Sequence, residues 1–456
     1  MIHQHPWRGF ALPALLAVFA SAVLIGASSA SAAPEGQLST VTIGPAGYAG
    51  NAIAAGPDGS MWFTNNANNS IGRITPAGAV TAFPVPASPP LTSGPGLFAL
   101  TAGPDGNMWF TQFFGNQIGR ITPTGLVTMF PVPTAEGAVT GTAPFGITAG
   151  PDGNLWFTMD FANAIGRITP NGVITQFPIP SPGTSETASI VTSSDCLMCG
   201  YLITPGPDQA LWFTIPAASR IGRITVDGAV TTFPVPTTPP PPSLSNPISV
   251  ADITSAPDGS MWFTQPVDNQ IGRITTAGVV TEFNVPLAGA SPLMITPGPR
   301  GTLWFTETGT LNLGRLDSRG AITQVPISTP GAVPTSLTAG ADGNLHATLV
   351  VGTPPTNILN LATIGTGSGA MLRTRITGSA HTGSPLACRV INTSGWSVAQ
   401  VTYQWLRAGQ PIPSQSKKTF TPSVRDLGEE ISCVASITTS PMLTQLAVTS
   451  PAKRIT

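Results

Sequence analysis

The sequence predicts an all-β protein: a seven-bladed β-propeller followed by a smaller, separate β-sandwich domain. Three observations carry this. One unit recurs seven times at intervals of 42 to 56 residues, its glycines and prolines recur with it, and the repeat stops near residue 370, where a different cysteine and tryptophan pattern begins.

The unit reads I-T-x-G-P-D-G-x-x-W-F-T, then N-x-I-G-R-I-T-x-x-G-x-V-T-x-F-P-V-P. Its turn aspartate falls at Asp58, Asp105, Asp152, Asp208, Asp258 and Asp342, with Arg300 in that place in the sixth unit. Repeats of this length point to a propeller or an array. Each unit holds four short runs rich in Ile, Val, Phe, Trp and Thr, separated by turns such as Pro104-Asp105-Gly106-Asn107 and Thr122-Pro123-Thr124-Gly125. Such runs between Pro, Gly and Asp turns are antiparallel strands, and four strands repeated seven times make a seven-bladed propeller. The seventh unit has three strands, at Ser336–Ala339, Asn344–Leu349 and Asn357–Ile364, and lacks its outer one. A matching strand occurs at Ser39–Pro45, so it is predicted to complete the last blade and leave no open edge.

Composition narrows the function. Of 456 residues, 9% are charged, against a usual ~25%. The net charge is −1 and there is no basic run, so nucleic acid is excluded as a partner. With 50 glycines and 48 prolines, coiled coils, helical bundles and doubly wound α/β folds are excluded too. Residues 1–32 carry Arg8, an apolar run from Phe10 to Ile25, and Ala30-Ser31-Ala32, the pattern of a secretory signal peptide cut before Ala33. No later stretch is long and apolar enough to span a membrane. The expected location is extracellular or at the cell surface, where disulfides persist.

Trp62, Trp109, Trp156, Trp212, Trp262 and Trp304 fill one position of the unit, with His346 in the seventh. A residue needed once per blade is read as packing between blades. Arg73, Arg120, Arg167, Arg223, Arg273 and Arg315 fill another, and a pairing with the turn aspartate is expected, since arginine is rarely buried alone. Asn360 is read as the seventh unit's residue at the Arg position.

From Gln37 to Gly365 the strings G-P-D-G-N-L-W-F-T and N-x-I-G-R-I-T-P-x-G-x-V-T-x-F-P resemble the streptogramin B lyase (virginiamycin B lyase) family. The resemblance implies a seven-bladed propeller that opens a cyclic depsipeptide by elimination, with a histidine base, nearby glutamates and Mg²⁺. The family's histidine lies just before the innermost strand. That position here holds Asn51, Phe98, Phe145, Tyr201, Ala251, Leu293 and Thr335. Its glutamate follows W-F-T, where this chain has Asn65, Gln112, Met159, Ile215, Gln265, Glu307 and Leu349. Only Glu307 matches, and Asp252 beside the Ala251 position is the second carboxylate offered for a metal. Removing a proton next to a carbonyl needs a base within hydrogen-bond reach, and Mg²⁺ takes one or two carboxylates. No cofactor is expected unless the lyase reading holds, in which case Mg²⁺ is.

Phe98, Phe145 and Tyr201 occupy equivalent positions on three successive blades, where they are either a stacking surface for an apolar or sugar ligand or a plug in the channel. The inserts Ala87–Gly96, Ser181–Gly200 and Thr237–Ser249 all follow outer strands and so emerge on one face.

Cys196-Leu197-Met198-Cys199 lies inside one insert, with no further metal ligands nearby, and reads as a local disulfide. In residues 370–456, Cys388, Trp405 and Cys433 follow in the order of an immunoglobulin-like sandwich, with a Cys388–Cys433 bond. Tyr403 to Gly409 and Asp426-Leu427-Gly428 resemble bacterial immunoglobulin-like modules. The expected function is a secreted, non-catalytic binding protein for an extracellular ligand, such as a glycan or cell-wall component. The alternatives are a divergent Mg-dependent lyase and a structural envelope component.

Overall fold

The computed structural model describes residues 38–45, 52–86, 96–134, 141–180, 202–236, 249–317, 320–340, 342–352, 358–366, 372–392, 397–408, 410–440, 445–450 and 452–456. The leader expected at residues 1–32 and the Cys196–Cys199 pair lie outside them.

Seven four-stranded antiparallel sheets form the blades. Blade 2 is representative, running from Leu97–Ala102 through Met108–Gln112 and Gln117–Ile121 to Val127–Pro131. The innermost strand of each blade touches that of the next, and Ala332–Ala339 of blade 7 touches Ile53–Ala55 of blade 1, so the ring is closed. Blade 7 takes its outer strand from the front of the chain: Leu38–Pro45 pairs antiparallel with Ile358–Ile364, with Leu38 opposite Ile364. The closure expected from the sequence is therefore present.

The repeated aspartate, tryptophan, arginine and phenylalanine form one stack per blade. In blade 1 the indole N–H of Trp62 donates to Asp58 Oδ1 (3.0 Å), and Arg73 pairs with Asp58 Oδ2 (2.7 Å). The Arg73 guanidinium lies 5.7 Å from the Trp62 ring centroid, and Phe83 stacks on that indole at 5.7 Å. Blades 2 to 5 repeat the Asp–Arg pair. The stack also ties neighbours together. Arg73 donates to the Pro123 carbonyl, Arg120 to that of Pro170 and Arg167 to that of Val226, each in the turn of the next blade. Gly125 in one such turn has φ +95°, and a Cβ there would stand 2.4 Å from the Phe83 ring of blade 1. Only glycine gives both the left-handed turn and the room for that ring.

Two blades depart from the pattern. In blade 6, where Arg300 occupies the aspartate position, the Trp304 indole donates to Thr302 Oγ1 instead (3.1 Å). In blade 7, His346 takes over the indole's bond: its Nε2 lies 3.1 Å from Asp342 Oδ1. The residue opposite His346 is Thr363, not Asn360, which faces Leu349. The assignment of Asn360 to the Arg position is thus corrected. The strands of this blade run seven residues rather than five, which displaces a count made from the Asn of the motif.

Residues 372–454 form two further antiparallel sheets. The disulfide Cys388–Cys433 joins Leu386–Asn392 of one to Glu430–Ser440 of the other. Trp405 is fully buried, tilted against Phe420 at 5.4 Å, and its indole donates to the Lys417 carbonyl.

The tryptophans at the blade stacks are buried, so their role is packing. Trp156→Ala is expected to destabilise the propeller by about 3–5 kcal/mol, read from urea unfolding. Asp152→Asn, which keeps an acceptor for the indole but loses the charge, is expected to cost much less, because the Asp152–Arg167 pair is partly exposed.

Candidate functional site

The inner strand of each blade starts, and the second strand ends, on the same face of the ring. Leu97 lies opposite Gln112, Pro144 opposite Met159 and Pro292 opposite Glu307. The outer strands also end there, at Pro84, Pro131, Pro178 and Pro234. All the long inserts therefore leave and rejoin the propeller on this face, as the sequence indicated, though their interiors lie outside the described residues.

The W-F-T threonines build this face. Thr111 Oγ1 accepts from the Ala99 amide (3.1 Å) and donates to the Phe145 carbonyl of the next blade (2.8 Å). Thr264 Oγ1 likewise accepts from the Asp252 amide and donates to the Leu293 carbonyl (2.6 Å). Each hydroxyl thus fixes the backbone at a position where the family carries its histidine. Sequence reading missed this role, although the threonine was visible in every W-F-T.

Phe98 and Phe145 are brought together: their rings stack at 4.9 Å, and they are only 8% and 7% exposed. Phe113 meets both edge-on, at 5.3 and 6.1 Å, and also meets Phe161 at 5.4 Å. Phe114 completes the group. Phe161 is 38% exposed and forms its solvent side. Phe98 and Phe145 each lay one face on the other and are buried, so what this cluster offers outward is Phe161 and part of Phe114. Tyr201, the third expected member, lies outside the described residues. Phe113, Phe114 and Phe161 escaped sequence reading because they sit in turns that the repeat leaves variable.

Glu307 ends the second strand of blade 6 and is fully buried. Its Oε2 accepts from Thr310 Oγ1 (2.9 Å), and its Oε1 has no hydrogen-bond partner among the described residues. Gln265, the equivalent residue of blade 5, donates through Nε2 to Glu282 (3.0 Å), which faces Asp268 electrostatically. Burial, and then Glu282, raises the Asp268 pKa.

Asp252 is committed elsewhere. It accepts from its neighbour Ile253 N and from Ile295 N of blade 6, both at 2.8 Å, and so pins blade 5 to blade 6. It makes no described contact with Glu307. Among the described residues no group of three or more His, Cys, Asp or Glu side chains is placed to hold a metal ion. Phe98, Phe145, Ala251, Leu293 and Thr335 occupy the histidine positions within the described residues. Glu307 offers one buried carboxylate and Asp252 makes no described contact with it, so the glutamates that the resemblance implies around Mg²⁺ are not gathered here among the described residues.

The model of the virginiamycin B lyase family matches residues 24–198, 98–243 and 243–358. The chain belongs to the virginiamycin B lyase family. A streptogramin B lyase structure is similar at 30% identity and a TM-score of 0.59, over 72% of this chain and 97% of that one. A selenomethionine-substituted virginiamycin B lyase from Staphylococcus aureus is similar at 33% identity and a TM-score of 0.58, over 72% and 100% of the two chains. A catalytically inactive His-to-Ala variant of the S. aureus enzyme, in complex with quinupristin, matches at 33% identity and a TM-score of 0.57, over 72% and 99%. The virginiamycin B lyase of Bordetella parapertussis is 53% identical over 34 residues, which is 8% of this chain and 11% of that protein's length. The match to this curated relative thus spans about a tenth of its length. Membership in the family rests on the propeller.

Burial pushes the Asp252 carboxyl up to about 7, against the two amide bonds that favour its ionised form. With the folded pKa raised above the ordinary value of 3.8, the group's contribution to stability is complete below about pH 4 and is lost as pH rises through about 7. Urea unfolding of wild type and Asp252→Asn between pH 4 and 8 checks this. The wild-type stability is expected to fall relative to the variant as pH rises.

Proposed function

We propose that this chain is a secreted, non-catalytic member of the virginiamycin B lyase family. It holds an extracellular ligand or partner, such as a glycan or cell-wall component, on the face where the inserts emerge. The observation that carries the reading is the make-up of the two positions where the family implies its chemistry. No histidine stands in either row, and Glu307 is the only carboxylate there. Elimination needs a base within reach of the proton it removes. The chain's remaining histidines are His3 and His5 in the leader, His346 in a blade stack, and His381 beyond the propeller.

The inactive S. aureus variant is in complex with quinupristin. A propeller of this kind without its histidine can therefore hold a ligand without turning it over. Here the exposed Phe161 edge of the aromatic cluster, close to the inserts, supplies an apolar contact of the kind used to stack on ligands. The leader at residues 1–32 supports export, and the disulfide-linked sheets of residues 370–456 support an immunoglobulin-like module serving as a spacer or adhesive unit.

A second reading, divergent Mg-dependent lyase activity, is favoured by the unpartnered Oε1 of Glu307. Incubation with quinupristin, with and without Mg²⁺, followed by mass analysis, separates the two. Intact quinupristin is expected, and ring opening abolished by Glu307→Ala would overturn the proposal. In pull-downs on isolated cell wall, Phe161→Ala is expected to weaken binding about tenfold with no change in melting temperature. Unaltered binding would remove the aromatic cluster from the site.

A further inference from the structure

The junction of blades 7 and 1 lacks three parts of the stack that blades 1 to 5 carry. His346 replaces the tryptophan, Thr363 the arginine, and Val41, opposite Leu361, the phenylalanine. In blade 1 the matching positions are Trp62, Arg73, and Phe83 opposite Ile71. Among the described residues, nothing fills the turn of blade 1 that would receive the missing ring. Nothing lies within 4 Å of a Cβ at Gly78, whereas Phe83 fills that space at Gly125, Phe130 at Gly172 and Phe177 at Gly228. Val41 is 37% exposed.

What remains, among the described residues, is a carboxylate without its guanidinium. Asp342 keeps the turn geometry of its counterparts. It accepts from the Asn344 amide and side chain, as Asp105 does from Asn107, and its side chain is 36% exposed. In blades 1 to 3 an arginine over the corresponding aspartate also donates to a turn carbonyl of the next blade, at Pro123, Pro170 and Val226. The same turn position in blade 1 is Pro76, in Thr75-Pro76-Ala77-Gly78. The acceptors for a guanidinium are thus retained, and the side chain that would supply one is too short.

We infer that the junction of blades 7 and 1 is a binding site for an arginine side chain of a partner polypeptide, which takes the place that Arg73, Arg120 and Arg167 hold at the other junctions. The occupant follows from charge and shape together. Five other blades seat a guanidinium on this carboxylate, and Arg73, Arg120, Arg167 and Arg273 lie over an aromatic ring as they do so. Planar, two-point recognition favours arginine over lysine. Burial opposes ionisation of Asp342, but the charge and hydrogen bond of His346 outweigh it and hold the carboxyl down at about 2, so the acceptor is anionic at neutral pH. This site is independent of the insert face.

The test uses the full chain and N-acetyl-arginine amide as the probe, with the lysine and the neutral citrulline analogues as controls, titrated by calorimetry. Saturable binding of the arginine probe is expected, at least about tenfold tighter than citrulline. It is expected to vanish in Asp342→Asn and in Thr363→Arg, the second of which fills the site from within and raises the melting temperature. No saturable binding to wild type, or undiminished binding to Thr363→Arg, would overturn the inference.

Discussion

In blades 1, 2, 3 and 5 one carboxylate does three things at once. Asp105, for example, closes its turn by accepting the Asn107 amide, satisfies the Trp109 indole N–H, and faces Arg120. The second of these matters most for stability. The indole is fully enclosed, and a buried N–H left without an acceptor costs about 1–3 kcal/mol. The ion pair alone contributes little, because the guanidinium is more than a quarter exposed. What the arginine adds is reach: its outer nitrogen holds the next blade's turn, and its face lies on an indole. The aspartate thus sets both the hairpin within a blade and the contact between blades.

The ring was legible because it is periodic. Seven copies of one pattern fixed the strand count and the origin of the seventh blade's last strand. The Asp–Arg pairing could be read for the same reason. Legibility ended where the period did. The sequence puts Asn360 at the position that Thr363 holds because the longer strands of blade 7 break the count, and only the cross-strand register shows which residue faces His346. Phe113, Phe114 and Phe161 could not be assigned to one cluster, since turns of equal length on different blades carry unrelated residues.

The same contrast separates scaffold from specificity on the insert face. The threonine hydroxyls that link one blade's amide to the next blade's carbonyl recur in the same form. The side chains they position do not: Phe145 is packed into an aromatic cluster, Ala251 is small and enclosed, and Leu293 is half-buried. A backbone held this firmly tolerates changes in the residues it displays. The residues displayed on such a face can change while the wheel beneath it stays intact.

The placement of Leu38–Pro45 in the last blade has a temporal side. During synthesis this strand emerges first and finds its neighbour, Ile358–Ile364, only after six whole blades have been made. Until then blade 7 cannot be finished, and the nascent ring stands as an open arc with an unpaired sheet border at each end. Loss of either clasp strand, Leu38–Pro45 or Ile358–Ile364, therefore threatens the whole wheel, while a cut in a connecting loop midway round leaves the clasp untouched.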